Sequence, residues 1–143
     1  MGVGNELMGD DGVGPFIARG FHSKGWISID CGVAPENFTS IIKEHKPQYV
    51  VIVDAAEMGL APGEYRRISI SHADTCYIST HTIPISALLS YLKEYCKEII
   101  LIGIQPKSLD LGSEISPEVR EGANKLIADL KDFRSERIPF LDP

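Results

Sequence analysis

Two stretches of the chain are short and continuously apolar, Tyr49-Val-Val-Ile-Val-Asp54 and Glu98-Ile-Ile-Leu-Ile-Gly-Ile104. Runs of that length, rich in β-branched residues, mark strands buried on both faces of a parallel sheet. Trp26-Ile-Ser-Ile-Asp30 reads as a third strand. Glu64-Tyr-Arg-Arg-Ile-Ser69, which follows Pro62-Gly63, reads as a more exposed antiparallel strand at an edge. Between these runs the apolar spacing changes to three and four, the repeat of a helix face. Val13, Phe16, Ile17 and Phe21 form one such set, and Ile85, Leu88, Leu89, Leu92 and Cys96 another, with Thr82 as its N-cap. A third comprises Val119, Ala123, Leu126, Ile127, Leu130 and Phe133, with Ser116 as N-cap and Pro117 at the first helical position. A short helix is expected over 37–44, after Pro35.

Strands alternating with helices predict a three-layer α/β/α domain around a mostly parallel, twisted sheet with right-handed crossovers. There is no internal repeat or linker, so residues 1–143 read as one domain, with 138–143 as a terminal tail. One feature conflicts with this plan. The Gly2-Val-Gly4-Asn5 turn should follow a central strand, yet only Met1 precedes it. The sheet is therefore expected to lack part or all of its first strand, which would leave neighbouring backbone groups to find other partners. A rearranged N-terminus or pairing between molecules would supply them, at reduced stability.

Composition narrows the class. A chain of 143 residues with 43% hydrophobic and 24% charged residues is an ordinary single globular domain. Fourteen Lys and Arg against twenty Asp and Glu give a net charge of −6. That balance argues against a nucleic-acid partner and against an anionic membrane surface. No apolar run approaches the ~18 residues of a membrane span, and the N-terminus has no signal-peptide pattern. Cys31, Cys76 and Cys96 are odd in number and lack metal-ligand spacing, which suits reduced thiols in a cytoplasmic protein.

Polar groups gather where the strands end. In open α/β sheets ligands bind beyond the carboxyl ends of the strands. Asp10 and Asp11 lie in the Gly-rich loop that opens the first helix, Asp54 ends the most apolar strand, and His81 lies in the loop entering a later helix. Two carboxylates and an imidazole at one sheet edge suit a divalent first-row metal with open positions for water or substrate. Each has a plainer alternative: one of Asp10 and Asp11 as a helix cap, Asp54 as a structural carboxylate, His81 as an ordinary core or surface histidine. Adjacent in sequence, Asp10 and Asp11 diverge and do not form an aspartic-protease dyad. Gly2-Val-Gly4 is not completed to a dinucleotide fingerprint, and the acidic pair would repel a pyrophosphate. Glu57 and Glu64 read as solvated; His22, His45 and His72 have no evident partners. Cys31 follows a strand end, where a lone thiol reads as inert.

The opening Gly2-Val-Gly-Asn-Glu-Leu-Met-Gly-Asp-Asp-Gly-Val-Gly-Pro15 resembles the first motif of the nickel–iron hydrogenase maturation endopeptidases. The resemblance continues through Asp30-Cys-Gly-Val-Ala-Pro-Glu-Asn37, Val51-Ile-Val-Asp-Ala55, Met58-Gly-Leu-Ala-Pro-Gly-Glu64, Ser79-Thr-His-Thr-Ile-Pro84 and Gly103-Ile-Gln-Pro106. These blocks look most like the hydrogenase 3 type and span most of the chain in order. The resemblance implies an enzyme that removes the C-terminal extension of a hydrogenase large-subunit precursor after nickel insertion. It places the catalytic, metal-binding positions on Asp11, Asp54 and His81, the same three residues. The implied metal is Ni²⁺ presented by the substrate's own thiolates, with another divalent ion able to substitute in isolation. The implied partner is the precursor, with no nucleic acid and no membrane insertion. Cys31 departs from the family, standing where glycine is common.

Asp10 would serve the loop or the helix N-terminus, where its charge meets the positive end of the dipole. The rival reading is a phospho-accepting receiver domain using Asp10 and Asp11 for Mg²⁺, Asp54 as acceptor and Lys107 after a late strand. It gives no use to His81, and Gly-Asn-Glu-Leu-Met-Gly separates its acidic pair from any strand.

Overall fold

The computed structural model describes residues 1–76, 84–133 and 135–141. Among these residues five strands, β1 (Gly2–Val3), β2 (Asp30–Gly32), β3 (Tyr49–Ala55), β4 (Tyr65–Arg67) and β5 (Glu98–Ile104), form one sheet in the order β2-β1-β3-β5-β4. β3 and β5, the two apolar runs, pair in parallel along their whole length, from Tyr49 opposite Glu98 to Ala55 opposite Ile104. β4 is antiparallel to β5 at the edge, as its mixed polarity predicts. The helices are α1 (Val13–Gly20), α2 (Thr39–His45), α3 (Ala73–Cys76), α4 (Ile85–Leu92) and α5 (Pro117–Lys131).

Side-chain alternation along the strands divides the core into two layers. Val51, Val53, Ala55, Ile100, Ile102 and Ile104 pack with residues of α1 and α5, including Ile17, Leu126 and Leu130. Val50, Ile52 and Leu101 face the other way, into a cluster with Ile42 of α2 and Leu88, Leu89 and Leu92 of α4. The α/β/α sandwich follows from that alternation, because a strand buried on both faces must be covered on both.

The expected gap at the first strand is filled, though by only two residues. Gly2 and Val3 lie between β2 and β3 and pair in parallel with both, so no rearranged N-terminus or second molecule is needed to place a strand there. Gly14 lets this happen: a Cβ on it would lie 2.2 Å from the Val3 carbonyl oxygen and 2.7 Å from that of Val53. The first turn of α1 therefore rests directly on strand backbone. The shortness of β1 has two consequences. β1 reaches back only to the Ile29 carbonyl, which accepts Gly2 N–H at 2.9 Å, and residues 26–28 have no strand beside them, so the third predicted strand moves to Asp30–Gly32. A cavity of about 310 Å³ also opens there, lined by Trp26, Ile27, Ile41, Tyr49 and Val51 among others.

Three further differences are local. α4 ends at Leu92 rather than continuing to Cys96, and the predicted N-cap Thr82 lies outside the described residues. Ser116 does occupy the N-cap position of α5, but its hydroxyl makes no cap bond and donates to Asp10 instead. The chain end read as a tail docks along β4. Arg67 N–H donates to the Pro139 carbonyl at 2.9 Å, Leu141 N–H donates to that of Arg67 at 2.9 Å, and Ile138 is fully buried.

Candidate active site at the carboxyl end of the sheet

Asp54 is 1% exposed and follows four buried residues of β3. Its Oδ1 accepts the N–H of Ala55 at 2.8 Å. Strand alternation puts it on the face that α2 and α4 cover. Asp11, also 1% exposed, lies in a 3₁₀ turn, Gly9–Gly12, that packs against β3 and leads into α1. Its Oδ2 accepts the N–H of Asn5 at 2.9 Å. Asn5 in turn accepts Leu7 N–H through its side chain and Met8 N–H through its carbonyl, so the opening loop is folded around the Asp11 carboxylate. Gly14, one turn beyond Asp11, sits on Val53, the residue before Asp54. The two carboxylates thus belong to the same end of the sheet.

His81, the third predicted ligand, lies outside the described residues. Among the described residues no three His, Cys, Asp or Glu side chains are grouped as metal ligands would be.

Asp10 does something the sequence did not announce. α1 has no side-chain cap; the Asp10 carboxylate points instead to the segment between β5 and α5. Oδ2 accepts Lys107 N–H at 2.8 Å, Ser108 N–H at 2.9 Å and the Ser116 hydroxyl at 2.8 Å. Oδ1 accepts Ser116 N–H at 2.6 Å. Burial alone would raise its pKa, but the bonds from Ser108, Ser116 and Lys107 outweigh it and hold the carboxyl below its ordinary range. Asp10 is a structural clasp: of the two expected roles, loop or helix N-terminus, it holds a loop, that of residues 107–116, and makes no cap on α1.

Gln105 is a second buried polar group (4% exposed) that sequence reading passed over. It follows β5, and its Oε1 accepts Met58 N–H at 2.7 Å and Leu60 N–H at 3.3 Å. Its Nε2 donates to Glu57 Oε1 at 3.0 Å and to the Pro106 carbonyl at 3.2 Å. The loop that leaves β3 just after Asp54 is therefore anchored on Gln105, and the available signal was an amide at the end of an apolar run, where it must find partners. Glu57, exposed as expected, is one of those partners. Cys31 is buried, and burial pushes its thiol up to about 11, which keeps it protonated and unreactive at neutral pH.

The receiver arrangement is not assembled. Asp10 spends its lone pairs on the 107–116 segment, and Lys107 turns its ammonium to Glu118 at 3.0 Å. No helix among the described residues is long and apolar enough to cross a membrane.

Comparison with known proteins bears on the family and the fold. The family model for hydrogenase maturation proteases matches residues 16–132. The hydrogenase 3 maturation protease of Escherichia coli K12 is 46% identical over 108 residues, covering 73% of this chain and 69% of the relative. The solution structure of the Escherichia coli endopeptidase HycI superposes with a TM-score of 0.89 at 34% identity, covering 99% of this chain and 94% of that one. The Thermococcus kodakarensis nickel–iron hydrogenase maturation protease HycI gives 0.78 at 31% identity, over 92% and 87%. On the family model and these relatives, the chain belongs to the hydrogenase maturation protease family and is a hydrolase of the endopeptidase type.

Proposed function

We propose that this endopeptidase removes the C-terminal extension of a nickel-loaded hydrogenase large-subunit precursor, with Asp11, Asp54 and His81 reading the metal. The observation that supports this is the pair of buried carboxylates, Asp11 and Asp54, at one end of the sheet. Buried carboxylates at the ligand-binding end of an α/β sheet are donors suited to a divalent cation. In this reading nickel is part of the substrate. It arrives on cysteine thiolates of the precursor, and the protease adds two carboxylates and an imidazole, donors that a first-row divalent ion accepts. A precursor without nickel leaves that set unanswered, so the same residues test maturation and position the scissile peptide. Water is then activated by the metal or by a carboxylate beside it; it adds to the carbonyl, and the departing amine takes up a proton.

The test is a cleavage assay on nickel-loaded and nickel-free precursor, run with wild type, Asp54→Asn and His81→Ala, alongside thermal melts. Expected are cleavage of the loaded precursor only, and loss of cleavage in both variants. The His81→Ala melt should change by no more than the ~1 kcal/mol of an average substitution. A folded His81→Ala protein that trims the precursor at wild-type rate would remove His81 from the site. Equal cleavage of both precursors would remove nickel from the recognition.

A further inference from the structure

Among the described residues the two most exposed large apolar side chains are Leu111, 76% exposed, and Leu7, 66% exposed. They stand on loops far apart in sequence that the fold joins. Gly112 N–H donates to the Leu7 carbonyl at 2.8 Å, and Asp10 N–H donates to that of Ser108 at 2.9 Å. The Asp10 carboxylate adds its bonds to Lys107, Ser108 and Ser116. Gly9, at φ +57°, lets the two backbones approach, since a Cβ there would sit 2.7 Å from the Ser108 carbonyl oxygen. The result is one rigid ledge at the carboxyl end of the sheet, continuous through Asp10 with the turn that carries Asp11.

Single exposed leucines are ordinary. This pair differs because a fully buried carboxylate holds its backbone, so an incoming chain meets a preformed surface and little ordering entropy is lost on contact. The same loop half-buries Leu109 while leaving Leu111 outside. The ledge also carries negative charge: Asp110, exposed, immediately precedes Leu111, whereas Glu6 before Leu7 is paired with Arg19 and Lys107 with Glu118.

We propose that Leu7 and Leu111 form a docking ledge for the polypeptide substrate, taking an apolar stretch flanked by basic rather than acidic residues. The assignment rests on the protease reading, since the ledge is continuous through Asp10 with the turn that carries Asp11. It adds a surface that governs affinity and not the chemical step.

The experiment compares wild type, the double variant Leu7→Ser/Leu111→Ser, and Ile27→Ser. Ile27 is 55% exposed and lines the cavity beside the short β1, away from the ledge. Cleavage kinetics on nickel-loaded precursor are measured together with a direct binding titration of the same precursor. Expected is a rise of about tenfold or more in KM and Kd for the double variant, with kcat and Tm unchanged, and no change for Ile27→Ser. A double variant whose KM and Kd stay within about twofold of wild type overturns the ledge. Wild type that binds through the two leucines but does not cleave keeps the ledge and overturns the protease reading. Wild type that neither binds nor cleaves overturns both.

Discussion

Replacing Asp10 by Asn changes one atom and should cost more than most surface substitutions in this chain. The carboxylate receives four donors, three on Oδ2 and one on Oδ1. An amide offers a single acceptor. With its carbonyl in the Oδ2 position, the three bonds there survive but lose their charge assistance, a drop of roughly 0.5–1 kcal/mol each. Its NH₂ then faces Ser116 N–H, donor against donor, and one buried bond is lost at about 1–2 kcal/mol. Together these predict a destabilisation of about 3 kcal/mol, a sizeable part of the 5–15 kcal/mol typical of a domain. Urea unfolding reads it as a midpoint lowered by about 1.5 M, for a slope near 2 kcal/mol/M. pH supplies an independent check. The folded pKa of Asp10 lies below its unfolded value, so its stabilisation is fully present above about pH 4 and is lost as pH falls through the folded pKa. Asparagine does not titrate there, and the gap between the two proteins should therefore close in acid. A difference under about 0.5 kcal/mol at pH 7, or one that persists unchanged at about pH 2, would refute the clasp.

Gly14→Ala should lower Tm by about 10 °C or more, because its Cβ would collide with the backbone of Val3 and Val53 and push α1 off the sheet. Gln105→Leu keeps the volume but leaves Met58 and Leu60 N–H without their acceptor; a loss of about 2 kcal/mol is expected, with faster hydrogen exchange at those two amides. Tyr65→Phe removes a 2.7 Å bond from the phenol to Asp129 Oδ2, for about 1 kcal/mol in a denaturant melt. Burial first, and then the Asp129 carboxylate, raise the Tyr65 pKa, so that difference should hold below about pH 10 and fade as the phenol ionises.

What could be read from the sequence was whatever repeats locally. β3, β5 and the long helix α5 each carry their apolar pattern within one run of residues, and an apolar run needs only to be covered to take its place in a layered sheet. Asp54 was legible for the same reason, as a carboxylate at the end of a strand whose other residues are buried. The edge position of β4 followed from its polar residues. Tertiary structure decided the rest. Residues 26–28 have the pattern of a strand and are not one, because a strand needs a neighbour and β1 is only two residues long. Ile138–Leu141 looked like a tail and is held by Arg67. Asp10 and Asp11 are identical side chains in adjacent positions with different work to do. One clasps the 107–116 segment and the other faces the Asn5 loop. Nothing local separates them. The donors that choose between them lie 97 to 106 residues away, and a hydrogen bond is decided by which groups the fold brings within 3 Å of each other.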